Sequence, residues 1–283
     1  MILQDRTLIE IAGEDRKKFL QGLITNDVNK ATAENLIYAV MLNAQGRFLY
    51  DFFIFEKDEK LMLDCFAPRR DEILQKLSFY KLRSKVTLQK NDELQVSQNF
   101  SNVGFPDPRH PSLGHRSYAK NESAQSEDSY HLARILNKIP ESEHDLTYEK
   151  SFILEFGFDE LNAIDYKKGC YIGQELTART HYLGQIRKKV LHIKIVDFNK
   201  TNNLVDSQRA AFRESTQFSS KSVSFLKGVE LTCEGKSVGI ILSSLFHESE
   251  LHALALIKLP QDQEFSEIAE KLEYEGHKIF IVS

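Results

Sequence analysis

Short apolar runs separated by turn-forming residues fill the first third of the chain, and their spacing indicates which elements they form. β-Branched and apolar residues at 7–11 predict a strand, and apolar residues at helical spacing predict a helix over 14–23. The same reasoning predicts strands at 36–42, 47–55 and 61–66, a helix over 68–82 and a strand at 85–88. This order favours an antiparallel sheet with helices on one face, which is an α+β layer arrangement.

The end of the chain has a different pattern, typical of an all-β fold. Over 190–196 apolar residues alternate with His192 and Lys194, which predicts a strand. Glu-Gly pairs in 233–236 and 274–277 predict two hairpin turns between short strands. Together with an apolar run at 251–257, these segments predict five or six strands in a small barrel or sandwich.

The region between these two parts is less regular. Residues 99–129 are polar and contain three prolines, which predicts a loop or connection. A helix is predicted over 130–137, ending before Ile139-Pro140, because a residue that precedes proline avoids helical geometry. At 283 residues the chain is long for one core. We predict three domains: 1–98, 99–185 and 186–283.

Composition narrows the classes of function. The formal net charge of −4 and the pI of about 6.2 argue against a general nucleic-acid-binding surface. No apolar run approaches the length of a membrane span, so we expect neither nucleic acid nor membrane as a partner. Three scattered cysteines, Cys65, Cys170 and Cys233, fit a reducing compartment. The N-terminal residues lack the pattern of a signal or transit peptide, and we expect a cytoplasmic, bacterial-type location.

The strongest candidate for chemistry is the run Lys167-Lys168-Gly169-Cys170-Tyr171-Ile172-Gly173-Gln174-Glu175. The apolar spacing from Ile172 onward predicts a helix that ends near Gly184, so Cys170 is expected at or just before its N-terminus. The helix dipole and the neighbouring lysines would then favour a thiolate. The ordinary alternative is a small buried cysteine. There is no Cys-x-x-Cys or Cys/His ligand spacing, so we assign no metal site.

Residues 168–175, continued through Arg179, resemble the signature of the YgfZ-type folate-binding proteins. That family is related to the glycine-cleavage T-protein, an aminomethyltransferase, and supports the assembly or repair of iron–sulfur enzymes. Further matches lie at 5–6 with 11–13, at 19–22 with 25–28, and at 42–47. Arg134-Ile135 and Ile139-Pro140 also match, but Lys138 stands where the family has glycine.

The resemblance implies a T-protein-like fold, in which antiparallel sheets and helices enclose a central cavity beside a C-terminal barrel. It implies a protein that binds tetrahydrofolate and assists assembly, insertion or repair of clusters, with iron–sulfur client or assembly proteins as partners. We do not expect a conventional enzyme. The alternative is a folate-dependent one-carbon transferase, which moves an aminomethyl or methyl group.

The resemblance also implies site residues. Cys170 is the candidate reactive group. A carboxylate at Asp5 suits the amino-pyrimidine edge of a pterin, because its two oxygens accept paired N–H bonds. The candidate folate-binding residues are Asp5, Asn26, Lys168, Tyr171, Gln174, Glu175 and Arg179. Each has a structural alternative, such as a Glu175–Arg179 pair on the helix surface. Asp51 alternates with apolar neighbours, and we expect it to face solvent.

Overall fold

The computed structural model describes residues 1–120, 127–195, 226–247, 250–259, 272–274 and 277–282. The described residues form two compact units. The N-terminal unit contains residues 1–120, 146–154 and 158–184. The barrel unit contains 127–145, 155–157 and the described residues from 185 onward. The three predicted domain boundaries stay a prediction.

The N-terminal unit is built on a five-stranded antiparallel sheet in the order β2-β3-β4-β1-β5. Its strands are β1 (Arg6–Ala12), β2 (Ile37–Leu42), β3 (Phe48–Lys57), β4 (Lys60–Phe66) and β5 (Thr87–Asn91). The helices α1 (Arg16–Gln21) and α2 (Arg70–Lys81) pack on one face of this sheet, where Phe19, Leu20, Ile73 and Leu77 join its apolar side chains in one core. The predicted strands and helices of this region are confirmed.

A smaller three-stranded antiparallel sheet covers the other face. Its order is β6-β8-β7, and its strands are β6 (Gln95–Asn99), β7 (Phe105–Pro106) and β8 (His115–Ala119). Phe55 of β3 stacks on Tyr118 of β8, with ring centroids 4.4 Å apart. The prediction of a loop over 99–129 is therefore wrong for β7 and β8. The polar side chains of β8 face buried partners, so hydropathy gives no strand signal there.

The barrel unit holds a closed six-stranded barrel in the order β10-β11-β12-β9-β14-β13. Its strands are β9 (Lys188–Ile195), β10 (Glu230–Cys233), β11 (Lys236–His247), β12 (Glu250–Lys258), β13 (Leu272–Tyr274) and β14 (His277–Val282). The interior is apolar, with Ile193, Ile241 and Leu251 fully or almost fully buried. This confirms the predicted barrel. The turn predicted between β13 and β14 lies at 275–276, outside the described residues.

Two helices precede the barrel strands and pack on them. They are α3 (Glu127–Leu136) and α4 (Ser142–Asp145). The buried Arg134 of α3 bonds to Asp145 of α4 at 3.0 Å and to Ser243 of β11 at 2.9 Å. These bonds satisfy the guanidinium and fix both helices to one strand.

One more helix, α5 (Gln174–Leu183), belongs to the N-terminal unit and follows the cysteine motif. Across the ranges given above, none of the helices has the length and apolar character needed to cross a membrane. The α+β class with a C-terminal barrel is confirmed, and the central cavity implied by the resemblance stays a prediction.

Candidate functional site

Cys170 lies on an exposed connecting segment ahead of α5. The helix begins at Gln174, and its N-cap residue Gly173 has a φ of +84°. Cys170 therefore precedes the N-cap by three residues, and its thiol stands before the first helical turn rather than within it. The favourable effect of a helix dipole falls off within that turn. The thiol of Cys170 is exposed, which reaction with another molecule requires.

Lys168 anchors the segment that carries the cysteine. Its ammonium donates to three backbone carbonyl oxygens, those of Gln21 at 2.7 Å, Ile24 at 2.6 Å and Asn26 at 2.8 Å. An ammonium has three donors, so these bonds use its whole capacity. The carbonyl of Gln21 belongs to the last residue of α1, where helix carbonyls lack partners within the helix. Lys168 therefore holds the motif against the end of α1.

Burial sets the electrostatics around this anchor. It lowers the pKa of Lys168 to about 8, while Asp27 and Asp165 act in the opposite direction. Tyr171 is also buried, and burial raises its pKa to about 12. The ammonium of Lys168 lies 5.1 Å from the centre of the Tyr171 ring. The two residues pack together and stabilise each other beneath the exposed cysteine.

Asn26 has a comparable internal role. Its amide nitrogen donates to the carbonyl oxygens of Tyr38 and Asn162, each at 2.8 Å. Its amide oxygen accepts from the backbone N–H of Asp27 at 2.8 Å. The side chain is buried and three of its hydrogen-bonding positions are taken by the protein.

The segments that resemble the family converge on this motif. Gly173 packs so closely on the turn after β2 that an added Cβ would lie 2.6 Å from the carbonyl oxygen of Asn43. The backbone N–H of Ile172 donates to the carbonyl oxygen of Gly22 at 3.2 Å. Residues 19–28 and 42–47 thus form the support on which 168–175 rests. Sequence reasoning found each segment, but only the fold shows that they meet.

The remaining candidates on α5 are more accessible. Gln174 is half-buried, and Glu175 and Arg179 are exposed. Within the described part of the chain, Glu175 and Arg179 form no ion pair with each other. Their charged groups are therefore available to a ligand or a partner.

Asp5 lies immediately before β1 and is half-buried, and its backbone carbonyl accepts from the N–H of Ala67 at 2.7 Å. The more deeply buried charges are its neighbours. Arg6 bonds to Asp64 at 2.7 Å and to Asp51 at 3.0 Å. The expectation that Asp51 faces solvent is wrong, since it is 2% exposed. Its alternation with apolar residues arises because a second sheet covers this face.

Sequence reasoning missed a buried ionic network between the two sheets of the N-terminal unit. Its charged members are Arg6, Asp51, Asp64, Asp107, Arg109 and Arg116. Asp64 is its centre and accepts from Arg6, from Arg116 at 2.8 Å and from the hydroxyl of Tyr118 at 3.1 Å. Burial alone would lower the pKa of Arg6, but Asp51 and Asp64 outweigh it and raise that pKa above the usual value. The signal was present, as charged residues inside apolar strands need buried partners.

Comparison with known proteins finds relatives of this chain by sequence. No family model matches it. It is 35% identical over 227 residues to "Iron-sulfur cluster assembly factor IBA57 homolog, mitochondrial" of Neurospora crassa, covering 67% of this chain and 52% of the relative. It is 30% identical over 234 residues to "Iron-sulfur cluster assembly factor IBA57, mitochondrial" of Homo sapiens, covering 69% of this chain and 66% of the relative. The chain thus spans between half and two thirds of the length of these relatives.

A solved structure shows the same fold. It is glycine cleavage system aminomethyltransferase T from Bartonella henselae, with a TM-score of 0.68 at 10% identity, covering 100% of this chain and 84% of the other. The names of the sequence relatives also correct one expectation. They are mitochondrial proteins of eukaryotes, so the expected cytoplasmic, bacterial-type location is wrong.

Proposed function

Because the chain belongs to the YgfZ-type relatives of the aminomethyltransferases, we propose that it assists the assembly, insertion or repair of iron–sulfur clusters, and that it acts in mitochondria. The names of its relatives describe them as mitochondrial iron–sulfur cluster assembly factors. Its partners are then assembly proteins or client enzymes that carry such clusters.

One observation carries this proposal: the exposed thiol of Cys170 stands on a segment whose neighbours are fixed. Clusters are bound through cysteine thiolates, usually four of them. Within the described ranges no group of three His, Cys, Asp or Glu side chains is arranged to hold a metal. A single thiolate does not retain a cluster, so the cluster is cargo, and a partner protein supplies its other ligands.

The test is complementation with matched cysteine variants. Cells depleted of the protein would express the wild type, Cys170→Ser or Cys233→Ser, and the activities of iron–sulfur enzymes would be compared with that of an enzyme that has no cluster. We expect Cys170→Ser to leave the iron–sulfur activities at the depleted level, while Cys233→Ser restores them. Full restoration by Cys170→Ser would remove the thiol from the proposed mechanism.

We further propose that the chain binds tetrahydrofolate. The resemblance supports this, and the donor set fits the ligand in part. Lys168 and Asn26 are engaged by backbone groups, whereas Glu175 and Arg179 are exposed on α5. The carboxylate of Glu175 would accept from the amino-pyrimidine edge, and the guanidinium of Arg179 would bind a folate carboxylate.

Calorimetry with tetrahydrofolate tests the ligand separately from the thiol. We expect saturable binding to the wild type and to Cys170→Ser, and binding weakened about tenfold in Glu175→Gln and in Arg179→Gln, since charge-assisted hydrogen bonds contribute about 1.5–3 kcal/mol. Because a ligand that binds only the folded state raises its stability, the melting temperature should also rise. No heat and no change in melting would leave the iron–sulfur proposal standing without folate.

The one-carbon transferase alternative has less support. The resemblance implies two neighbouring acidic residues near Asp51 in the aminomethyltransferase branch, whereas this chain has Tyr50 beside Asp51. Asp51 already accepts from Arg6 and from the hydroxyl of Tyr38 at 3.1 Å. Its carboxylate is therefore occupied. Turnover of a methylamine-type donor with tetrahydrofolate by the purified chain would establish this alternative instead.

A further inference from the structure

A surface groove beside α1 and α2 has no role in the proposed function. It has a volume of about 830 Å³. Its lining includes the apolar side chains of Phe19, Leu23, Tyr80 and Leu82 and the charged side chains of Lys18 and Arg83. We call it the α1–α2 groove. Phe79, beside Tyr80, adds an apolar side chain that is 76% exposed.

One apolar side chain at this groove, that of Leu82, is carried by strained backbone, which costs free energy. Leu82 ends α2 with a φ of +44°, a left-handed conformation that side chains other than glycine rarely adopt. The result is a leucine that is 88% exposed. Strained backbone that presents an apolar side chain to solvent is a feature of binding sites, because the fold alone gains nothing from it.

The charge at the groove selects among partners. Lys18 and Arg83 have no ion-pair partner among the described residues, although the chain as a whole has a net charge of −4. Asp15 also lines the groove, but its carboxylate accepts the backbone N–H of Lys85 at 2.8 Å. That hydrogen bond leaves the carboxylate charged, so the lining carries two cations and one anion, and its net positive charge favours an acidic partner.

We propose that the α1–α2 groove binds an acidic, amphipathic segment of a partner protein. Its apolar side chains would cover Leu82 and Tyr80, and its carboxylates would meet Lys18 and Arg83. A concave site fits a protruding segment better than the plane of a membrane, and Phe79 and Leu82 stand too far into solvent for a small ligand to cover. This inference does not depend on iron–sulfur chemistry.

The groove also has a position that suits this role. Phe19 of its lining lies on α1, and the carbonyl oxygen of the last residue of α1 accepts from Lys168. Phe19, Leu23, Tyr80 and Ile172 pack in the same core. A segment bound in the groove is therefore attached to the same supporting helix as the cysteine motif.

Fluorescence anisotropy with designed peptides tests the proposal on the intact chain. Three labelled peptides would be used: a helical peptide with leucine on one face and glutamate on the other, its lysine counterpart, and the acidic peptide with serine for leucine. We expect only the first to bind. Lys18→Glu and Arg83→Glu should each weaken it about tenfold, whereas Lys236→Glu, an exposed lysine on the barrel, should not.

Leu82→Gly separates binding from folding. Glycine accepts the left-handed conformation, so the variant should melt at or above the wild-type temperature while its affinity for the acidic peptide falls about tenfold. Phe280→Ser, which removes an exposed apolar side chain from the barrel, should leave the affinity unchanged. Equal binding of the acidic and basic peptides, or no binding of either, would overturn the proposal. If the wild type bound anionic phospholipid vesicles and Lys18→Glu did not, the occupant of the groove would be a membrane and the proposal would be wrong. If the wild type self-associated and Leu82→Gly did not, the occupant would be a second copy of the chain, which would also overturn it.

Discussion

Lys138 has a backbone conformation that favours glycine. It has a φ of +60° just after α3, and the backbone N–H of Ile139 donates to the carbonyl oxygen of Arg134 at 2.8 Å. This is the position after a helix where glycine is favoured, because a side chain strains a left-handed residue. The resemblance implies glycine at this position, and in this chain lysine adopts the positive φ.

We therefore expect Lys138→Gly to raise the free energy of unfolding of the barrel unit by about 0.5–1 kcal/mol, since the relief of strain exceeds the entropy that glycine adds to the unfolded chain. Chemical denaturation would measure it. Lys138→Ala is the control, because it removes the same charge and keeps the strain. Equal stability of the glycine and alanine variants would show that charge, and not conformation, matters at this position.

Lys168 is the second residue whose role is set by its contacts. Lys168→Met keeps much of the side chain's bulk but leaves three carbonyl oxygens without their donor. Two of the three lost hydrogen bonds are buried. An unsatisfied buried polar group costs about 1–3 kcal/mol, so we expect a loss of about 3 kcal/mol in the free energy of unfolding. Lys167→Met, at the exposed neighbouring lysine, should change it by no more than about 0.5 kcal/mol. Denaturant melts of both variants provide the comparison.

The sequence identified these residues without their roles. A motif specifies which side chains occur together, so Lys168 and Cys170 were both found. It does not specify that the ammonium turns inward to carbonyls from 21–26 while the thiol stays outside. That division depends on contacts between segments about 140 positions apart in the chain, and local spacing carries no information on them.

At the scale of elements, prediction succeeded where a strand is an apolar run or alternates between apolar and polar residues. Apolar runs between turn residues predict the strands β1 to β4, and alternation together with turn residues predicts the barrel strands. It failed at β8, where Arg116 is fully buried against Asp64 instead of facing water. It failed for the same reason at Asp51. A hydropathy pattern treats a charge as a surface residue, whereas paired charges between two sheets are buried.

Two buried histidines on neighbouring barrel strands predict how the stability of the barrel unit depends on pH. His192 of β9 and His252 of β12 are buried and share a hydrogen bond of 3.0 Å between Nε2 and Nδ1. Burial, with smaller effects of His252, Lys194 and Lys138, lowers the pKa of His192 to about 4. As the pH falls, His192 of the unfolded chain becomes protonated near its ordinary pKa of 6.5, whereas His192 of the folded chain becomes protonated only near pH 4. The stability from this group is therefore complete above about pH 6.5 and is lost as the pH falls towards 4.

Melting temperatures of wild type and His192→Gln between pH 7 and 4 would measure this effect. We expect the wild type to lose several degrees more than the variant, because glutamine does not titrate. The carboxylate of Glu250 also faces this pair, 3.6 Å from Nε2 of His252. His110→Gln, at an exposed histidine in the other unit, should follow the wild type. Parallel curves for wild type and His192→Gln would contradict the assignment.

At the scale of the whole molecule, the three cysteines report on three different environments. Cys170 is exposed, Cys233 is half-buried at the end of β10, and Cys65 is fully buried in the core of the N-terminal unit. Burial raises the pKa of the Cys65 thiol to about 12. Alkylation requires both access and a thiolate, so Cys65 should react only when its unit opens.

We therefore expect iodoacetamide at neutral pH to modify Cys170 first, Cys233 more slowly and Cys65 only in denaturant, with mass spectrometry of peptides as the measurement. The order links structure to function, because the loss of iron–sulfur assembly activity should follow the modification of Cys170 in time. Cys170→Ser would remove the fast phase and leave the other two unchanged. If Cys65 reacted in the folded chain as fast as Cys170, the sheet that buries it would be open in solution. If activity survived complete modification of Cys170, the role proposed for its thiol would be wrong. Unmodified Cys65 in the same sample would show that the fold is intact.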